Sequence, residues 1–358
     1  MAKNIKKKHL NLPVYAVDLF CGIGALTCGL QKAGIHVRAG YDIDESCRHG
    51  FEYNNNVKFY PDSVADLSSE KLSQHYPPDG LRILVGCAPC QPFSTHTNKS
   101  REKETEKSRW HLLDSFGKLV EETNPDLVSM ENVTNLRNQD VFRNFVATLE
   151  KAGYFVHYQI VYCPDYGIPQ KRKRLILLAS KFAKPRLIEP THGPDNYRTT
   201  FDAIGKLPKI NAGKIHSNDT LHRSCSMNST MLARIKQSVP NGTWLDWDEE
   251  LRTDCHKSES GQSYKSVYGR MSWDQPSPTI TTQFYNFGTG RFGHPEQDRA
   301  ISIREAALLQ TFPQDYQFVS PNDPIHFTRV GRYIGNAVPV RLGEVIGLSI
   351  IEHFKRHI

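Results

Sequence analysis

Through its first 180 residues the chain alternates short runs of β-branched and aliphatic residues with stretches of helical period, the pattern of a parallel α/β sheet. Val14–Leu19 predicts a buried strand, followed by a glycine-rich turn and a helix over Ala25–Lys32. His36–Tyr41 predicts a second strand, ending at Asp42 and leading to a helix through Tyr53. Leu81–Gly86 predicts a third, followed by a charged loop and a helix over His111–Thr123. Asp126–Met130 and Arg174–Ser180 predict later strands, with a helix over Val141–Lys151 between them.

The texture changes near Lys184. Residues 186–298 are rich in Pro, Gly, Ser, Thr and Asn and carry few periodic runs, which predicts short strands and long loops. A helical pattern returns at Ile303–Gln310. Gly335–His353 reads as one long apolar-faced helix able to dock back on the first domain. The expected division is 12–184, 185–325 and a returning segment, 326–358.

Composition narrows the class. With 358 residues, 38% hydrophobic and 23% charged, the chain has ample core for a two-domain globular protein and too much apolar content for a disordered one. No stretch is expected to approach the roughly 18 apolar residues of a membrane span, and MAKNIKKKHLNLP has no apolar run after its lysines, so neither a signal peptide nor an anchor is expected. The net charge of +7 suits a polyanionic partner. Residues 186–298 hold 13 Lys+Arg and 13 Asp+Glu, so the excess lies elsewhere, and any nucleic-acid surface there must segregate charge by face. Eight cysteines without an export signal point to free thiols in a reducing, cytoplasmic compartment.

Two constellations carry candidate chemistry. Asp18-Leu-Phe-Cys-Gly-Ile-Gly-Ala-Leu26 leaves a strand and enters a helix, and Gly22 and Gly24 permit close backbone approach to a ligand. Asp42 closes the next strand, where a carboxylate can accept from two ribose hydroxyls. Gly-x-Gly alone also fits a plain tight turn. The dinucleotide fingerprint's third glycine is absent after Gly24-Ala-Leu26, which weakens the NAD reading and leaves S-adenosylmethionine open. Gly86-Cys-Ala-Pro-Cys-Gln-Pro-Phe-Ser94 follows a strand end, where open α/β sheets bind ligands. Zinc on Cys87 and Cys90 lacks two further ligands, and no metal is expected. A redox pair lacks a thioredoxin-like context. Cys87 reads as a buried structural thiol.

Together these residues resemble the DNA (cytosine-5) methyltransferase family. Pro89-Cys90-Gln91 before Phe93-Ser94, then Glu131-Asn132-Val133, Gln170-Lys-Arg-Lys-Arg174, Arg304-Glu305-Ala306-Ala307 with Gln310-Thr-Phe-Pro313, and Gly335-Asn336-Ala337-Val338-Pro339 occur in the family's order. Asp18–Gly24 resembles its cofactor loop, with Ala25 where many members have glycine. The segment Gly269–Thr282 resembles bacterial members. The resemblance runs from Val14 to about Gly347, nearly the whole chain.

The resemblance implies a Rossmann-like α/β domain dependent on S-adenosylmethionine, with a smaller, loop-rich target-recognition domain. It implies Cys90 as the thiolate that adds to C6 of a flipped cytosine, and Glu131 as the partner of N3 and the exocyclic amine. Arg174 is placed at the O2 and phosphate side. Arg172, expected on the same face of one extended segment, helps position the nucleophile or nucleotide. Phe20, Gly22 and Gly24 are expected around the methionine end and ribose of the cofactor. Asp42 is expected on the ribose hydroxyls, Ile43 on the adenine, Asp62 with Ser63 at the adenine amine, and Leu112 along the pocket. Asn336 and Val338 are expected to close it. For Ile43 and Leu112 the plain alternative is core packing, for Glu131-Asn132 a strand-end cap, and for the basic run a solvated edge. Residues 94–110 form a polar loop with five basic residues, expected to act as a lid over DNA. Duplex DNA is the expected partner, with a restriction endonuclease sharing the recognition sequence and a monomer as the working form. A tRNA-directed enzyme of the same fold is the alternative.

Overall fold

The computed structural model describes residues 12–89, 102–257 and 265–358. The chain divides into two compact units, Met1–Val161 with Lys173–Glu189 and Leu342–Ile358, and Tyr162–Arg172 with Pro190–Arg341.

The first unit holds a seven-stranded sheet. Its strands are β1 (Val14–Leu19), β2 (His36–Tyr41), β3 (Phe59–Tyr60), β4 (Leu81–Gly86), β5 (Leu127–Asn132), β6 (Phe155–Tyr162) and β7 (Lys173–Ser180), in spatial order 3-2-1-4-5-7-6. The pairs from β3 to β5 are parallel, and β7 runs antiparallel to β5. Strand order reverses between β1 and β4, so the crevice beyond their carboxyl ends is the switch point at which such sheets bind ligands. β1, β4 and β5 are almost wholly buried, as parallel strands covered on both faces must be.

The covering helices are α1 (Ala25–Lys32), α2 (Arg48–Asn55), α3 (Ser69–Ser73), α4 (Glu102–Thr123) and α5 (Asp140–Lys151). On α5, Val141, Phe142, Phe145 and Leu149 recur at helical spacing and are buried, with Phe145 packed 5.3 Å from the ring of Phe116 on α4.

The second unit carries the hairpin β8 (Ile215–His216) and β9 (Asp219–Arg223), and the helices α6 (Thr200–Ile204), α7 (Ser229–Gln237), α8 (Asp254–Lys257), α9 (Ile303–Leu309) and α10 (Phe327–Asn336). Ile235, Trp244, Trp247, Phe287 and Ala300 form a small core in it. With so little regular structure, buried arginines brace the loops. Arg270 donates to the carbonyls of Ile235, Ser238, His294 and Gln297 and pairs with Asp298 at 2.8 Å.

The last helix, α11 (Val340–His357), returns to the first unit from Leu342 onward. There Gly343 and Gly347 bring it close to α1, Ser349 accepts the Ile188 N–H at 2.9 Å, and His353 bonds Ser180 at 2.7 Å.

Several expected boundaries shift. The single helix over Gly335–His353 is two helices, because Ala337 turns to extended backbone ahead of Pro339, which has no N–H to continue the ladder. The helix expected from His111 begins at Glu102, so residues 102–110 of the expected polar loop are helical, and 94–101 lie outside the described residues. Glu131 and Asn132 belong to β5 itself. The expected 12–184 domain loses Tyr162–Arg172 to the second unit, and the expected 326–358 segment returns only from Leu342. An apolar window of mean hydropathy 1.4 lies within Phe327–His357; it is 72% buried inside the protein and crosses the break at Pro339.

Candidate active site

The backbone leaves β1 through residues of positive φ: Phe20 at 57°, Gly22 at 49° and Gly24 at 89°. Gly24 is the left-handed cap of α1. A side chain at Gly22 or Gly24 would meet the steric penalty of this region, and Phe20 bears it. The Gly22 N–H donates to Asp42 Oδ2 and the Asp44 N–H to Asp42 Oδ1, each at 2.9 Å. Asp42 thus ties the end of β2 to the loop after β1. Beside it Ile43 is 77% exposed, so core packing does not account for it.

Asp62, just after β3, pairs with Lys71 at 2.8 Å, and the Ser63 hydroxyl accepts the Ala65 N–H at 3.2 Å. Leu112 on α4 is only partly buried, beside the fully packed Leu113. Beneath the loop, Asp18 is fully buried. Its Oδ2 accepts from the Thr27 hydroxyl at 2.7 Å, and its Oδ1 has no hydrogen-bond partner among the described residues. Burial pushes the Asp18 carboxyl up to about 7; the Thr27 bond opposes this and the charge of Asp42 adds to it. This set fits a nucleoside-bearing group: a glycine loop open above Asp42, a carboxylate at the strand end and an exposed aliphatic side chain next to it.

A second centre lies at the ends of β4, β5 and β7. Glu131 is 6% exposed, and Arg174 Nε stands 2.9 Å from its Oε1. The register explains the meeting. Glu131 opposes Ile176, and Arg174, two residues away, projects from the same face. Arg174 also donates to the Lys173 carbonyl at 2.7 Å. Asn132 is a strand-end brace: its Nδ2 donates to Ala88 O at 2.9 Å and its Oδ1 accepts the Val133 N–H at 2.8 Å. That bond fixes the backbone two residues before Cys90, which itself lies outside the described residues.

The later motifs meet inside the second unit. Arg172 is buried and donates to Ile280 O and Ala337 O, each at 3.2 Å. Gln170 Nε2 donates to Gln310 Oε1 at 3.0 Å while its Oε1 accepts the Ile280 N–H at 3.0 Å. Gln310 Nε2 donates to Ile334 O at 2.7 Å. A buried polar hub therefore joins segments remote in sequence, its side chains bonded to one another and to backbone. Gly335 lies against it; a Cβ there would come within 2.4 Å of the Thr282 nitrogen.

A family model for C-5 cytosine-specific DNA methylase matches residues 14–352. The chain belongs to that family. This methylase is 52% identical over 337 residues to the Type II methylase M.HgiDII of Herpetosiphon aurantiacus, covering 93% of this chain and 94% of that protein. It is 29% identical over 346 residues to the Type II methyltransferase M1.HphI of Haemophilus parahaemolyticus, covering 94% and 86%. Among solved structures, one described as a DNA modification methyltransferase encoded within an Escherichia coli prophage superposes with a TM-score of 0.68 at 21% identity, covering 95% of this chain and 99% of that one, a likeness of fold.

The methylase brings together Phe20, Gly22, Gly24, Asp42 and Ile43 at one crevice, and Glu131 with Arg174 at another strand end. Arg172 precedes β7, outside the strand, and its guanidinium is engaged by two carbonyls, because the buried backbone around Ile280 and Ala337 needs donors. Asn336 is exposed and Val338 buried, both within the second unit. Sequence reasoning missed Asp18 and Thr27 as a buried pair, and took Asn132 only as a cap. The signal for Asn132 was its place beside Glu131, one strand over from the cysteine segment. No sequence signal marks Gln310 as the hub's second amide.

Proposed function

We propose that this DNA cytosine-5 methyltransferase uses S-adenosylmethionine to methylate one cytosine within a specific duplex sequence, as the modifying half of a restriction-modification pair. The observation that carries the reading is the buried Glu131–Arg174 pair beside the braced segment that leads to Cys90. The Type II relatives support the restriction-modification context, and the family model favours DNA over tRNA.

S-adenosylmethionine, when bound, supplies an electrophilic methyl group on sulfonium sulfur. Phe20, Gly22 and Gly24 would hold its methionine end and ribose, Asp42 the ribose hydroxyls, Ile43 the adenine face, Asp62 with Ser63 the adenine amine, and Leu112 the pocket wall. The Cys90 thiolate adds to C6 of a cytosine swung out of the duplex, since C5 is unreachable in the stack. The negative charge pushed toward N3 would be met by a proton shared from the Glu131 carboxyl, which Arg174 holds in place from the O2 side. C5, made electron-rich by the addition, is the atom that would receive the methyl group, with the sulfonium leaving as the neutral thioether. Loss of the C5 proton to water and of Cys90 as its thiolate would then restore the ring. Arg172 acts by bracing Ile280 and Ala337. Residues 186–298 would carry sequence readout, the monomer would be the working form, and a cognate nuclease would share the sequence without contact.

The test is bisulfite sequencing of duplex DNA incubated with the protein and S-adenosylmethionine. Protection of one cytosine within a recurring sequence is expected; uniform conversion of every cytosine overturns the reading.

A further inference from the structure

His75 has no part in the chemistry above, yet it ties down the strand end that carries the Asp42 carboxylate. Tyr41 is the last residue of β2 and immediately precedes Asp42. The Tyr41 carbonyl accepts the Cys21 N–H at 3.0 Å, and Asp42 Oδ2 accepts the Gly22 N–H at 2.9 Å, so this strand end holds the glycine loop. The Tyr41 ring is fully buried and stacks on that of Tyr60, with 5.0 Å between centroids and 20° between planes. Tyr60 O in turn accepts the Asp42 N–H at 3.2 Å. The Tyr41 hydroxyl lies 2.6 Å from Nε2 of His75, which is half-buried just past α3 and packs its ring 5.0 Å from that of Tyr60. The anchor is itself fixed. The His75 N–H donates to the carbonyl of fully buried Leu72 at 3.2 Å, and the next residue, Tyr76, donates its hydroxyl to Ile83 O on β4 at 2.7 Å. Burial, then the charges of Lys71, Arg38 and Lys58, hold the His75 imidazole below its ordinary range, and burial raises the Tyr41 phenol, so both are neutral near pH 7. The Tyr41 O–H is therefore the donor and Nε2 the acceptor, with the ring proton on Nδ1. A buried tyrosine hydroxyl needs such a partner, and losing it frees the ring that the strand end is built around.

We propose that His75 is a positioning residue for the cofactor: through Tyr41 it fixes the strand end from which the Asp42 carboxylate meets the ribose hydroxyls. The proposal rests on the reading of Asp42 as the ribose contact. His75 lies in none of the motifs and reaches Tyr41 across 34 residues of sequence.

The experiment uses the full chain and three probes: S-adenosylmethionine, S-adenosylhomocysteine and the 2′,3′-dideoxy analogue of the latter. Calorimetry gives their Kd values for the wild type, Tyr41→Phe, His75→Phe, His75→Gln, the Tyr41→Phe/His75→Phe double variant and Asp42→Asn, and kcat is measured at saturating S-adenosylmethionine. Tyr41→Phe and His75→Phe are each expected to weaken the two natural ligands about fivefold, the worth of one neutral hydrogen bond. The double variant loses no more than either single one, because the same bond is removed in all three. His75→Gln recovers most of the loss, since its amide oxygen accepts. In the His75 variants kcat and the KM for DNA stay put. The dideoxy analogue offers Asp42 no hydroxyl, so it binds the wild type and His75→Phe alike. Unchanged Kd values in His75→Phe overturn the proposal, as do additive losses in the double variant or an equal loss with the dideoxy analogue. Nitrogen NMR of the wild-type His75 ring is expected to show the proton on Nδ1; a proton on Nε2 overturns the proposal even if a variant fails to fold. Undiminished affinity in Asp42→Asn removes the underlying reading and this inference with it. Loss in Asp42→Asn alone leaves that reading standing and overturns only the role of His75.

Discussion

Asp18 is the residue whose environment departs furthest from what its position in the sequence suggests. It reads as the last polar residue of a strand before a glycine turn. In the fold it is fully buried, with one oxygen on Thr27 and its carboxyl raised to about 7 from an ordinary 3.8. The folded state therefore keeps a proton that the unfolded chain sheds near pH 4. Stability falls as pH rises through the window from about 4 to about 7, and stays lower above it. Asp18→Asn removes the ionisation, so its Tm should decline less between pH 5 and pH 8 than that of the wild type; parallel declines would refute the assignment. Glu131, Arg174 and Asp42 were legible as single residues because their motifs are rigid in spacing. Their partners were not. Arg174 meets Glu131 only because β7 runs antiparallel to β5, and no local pattern fixes that pairing.

At the scale of elements, the first unit was largely readable. β1 and β4 lie where near-continuous apolar runs placed them, as strands buried on both faces require, and β2 where Val37, Ala39 and Tyr41 alternate with exposed His36 and Arg38. β6 was missed because the polar His157 and Gln159 interrupt its apolar run, while Phe155, Tyr158 and Ile160 are exposed. The α10–α11 break was hidden by a hydropathy pattern that continues across Pro339, and only the backbone rule for proline marks it. Gly335 is the tightest point of α10. Gly335→Ala drives a methyl group toward the Thr282 nitrogen, 2.4 Å away, and should cost about 1–3 kcal/mol as an overpacked contact. Thermal unfolding checks it, and an unchanged Tm would mean that the helix and the Thr281–Thr282 backbone move apart freely.

At the scale of the whole molecule, the two units are held by different means. The first rests on an aliphatic and aromatic core around the sheet. The second relies on buried charge. Arg299 and Glu305, both fully buried, form two bonds of 2.7 and 2.6 Å, while Ser302 and Glu305 close a capping box at the start of α9. Burial alone would raise the Glu305 carboxyl, but the bonds and charge of Arg299 hold it at about 2. Its contribution is complete above the ordinary 4.5 and is lost as pH falls through 2. His294, kept neutral by burial with its ring near 4, adds a loss between 6.5 and 4 as the unfolded chain takes up the proton first. Glu305→Gln leaves Arg299 buried without its counter-charge and should cost about 3–5 kcal/mol in chemical denaturation; a loss below about 1 kcal/mol would show that water or a neighbour replaces the pair. Little of this network was legible, because Arg299 and His294 carry no motif and a sequence count of zero net charge in 186–298 conceals how its charges pair.

The account depends on a sulfur–carbon bond between Cys90 and the cytosine ring, in a segment whose role comes from its motif and from the bond of Asn132 to Ala88 just before it. The most direct measurement is covalent trapping with duplex DNA carrying 5-fluorocytosine at the protected position, in the presence of S-adenosylmethionine. Fluorine at C5 blocks the final elimination, so a denaturation-resistant adduct mapping by peptide mass to Cys90 is expected, and none with Cys90→Ser. Absence of any adduct on a substrate whose unfluorinated form is methylated, or an adduct at another residue, would contradict the account.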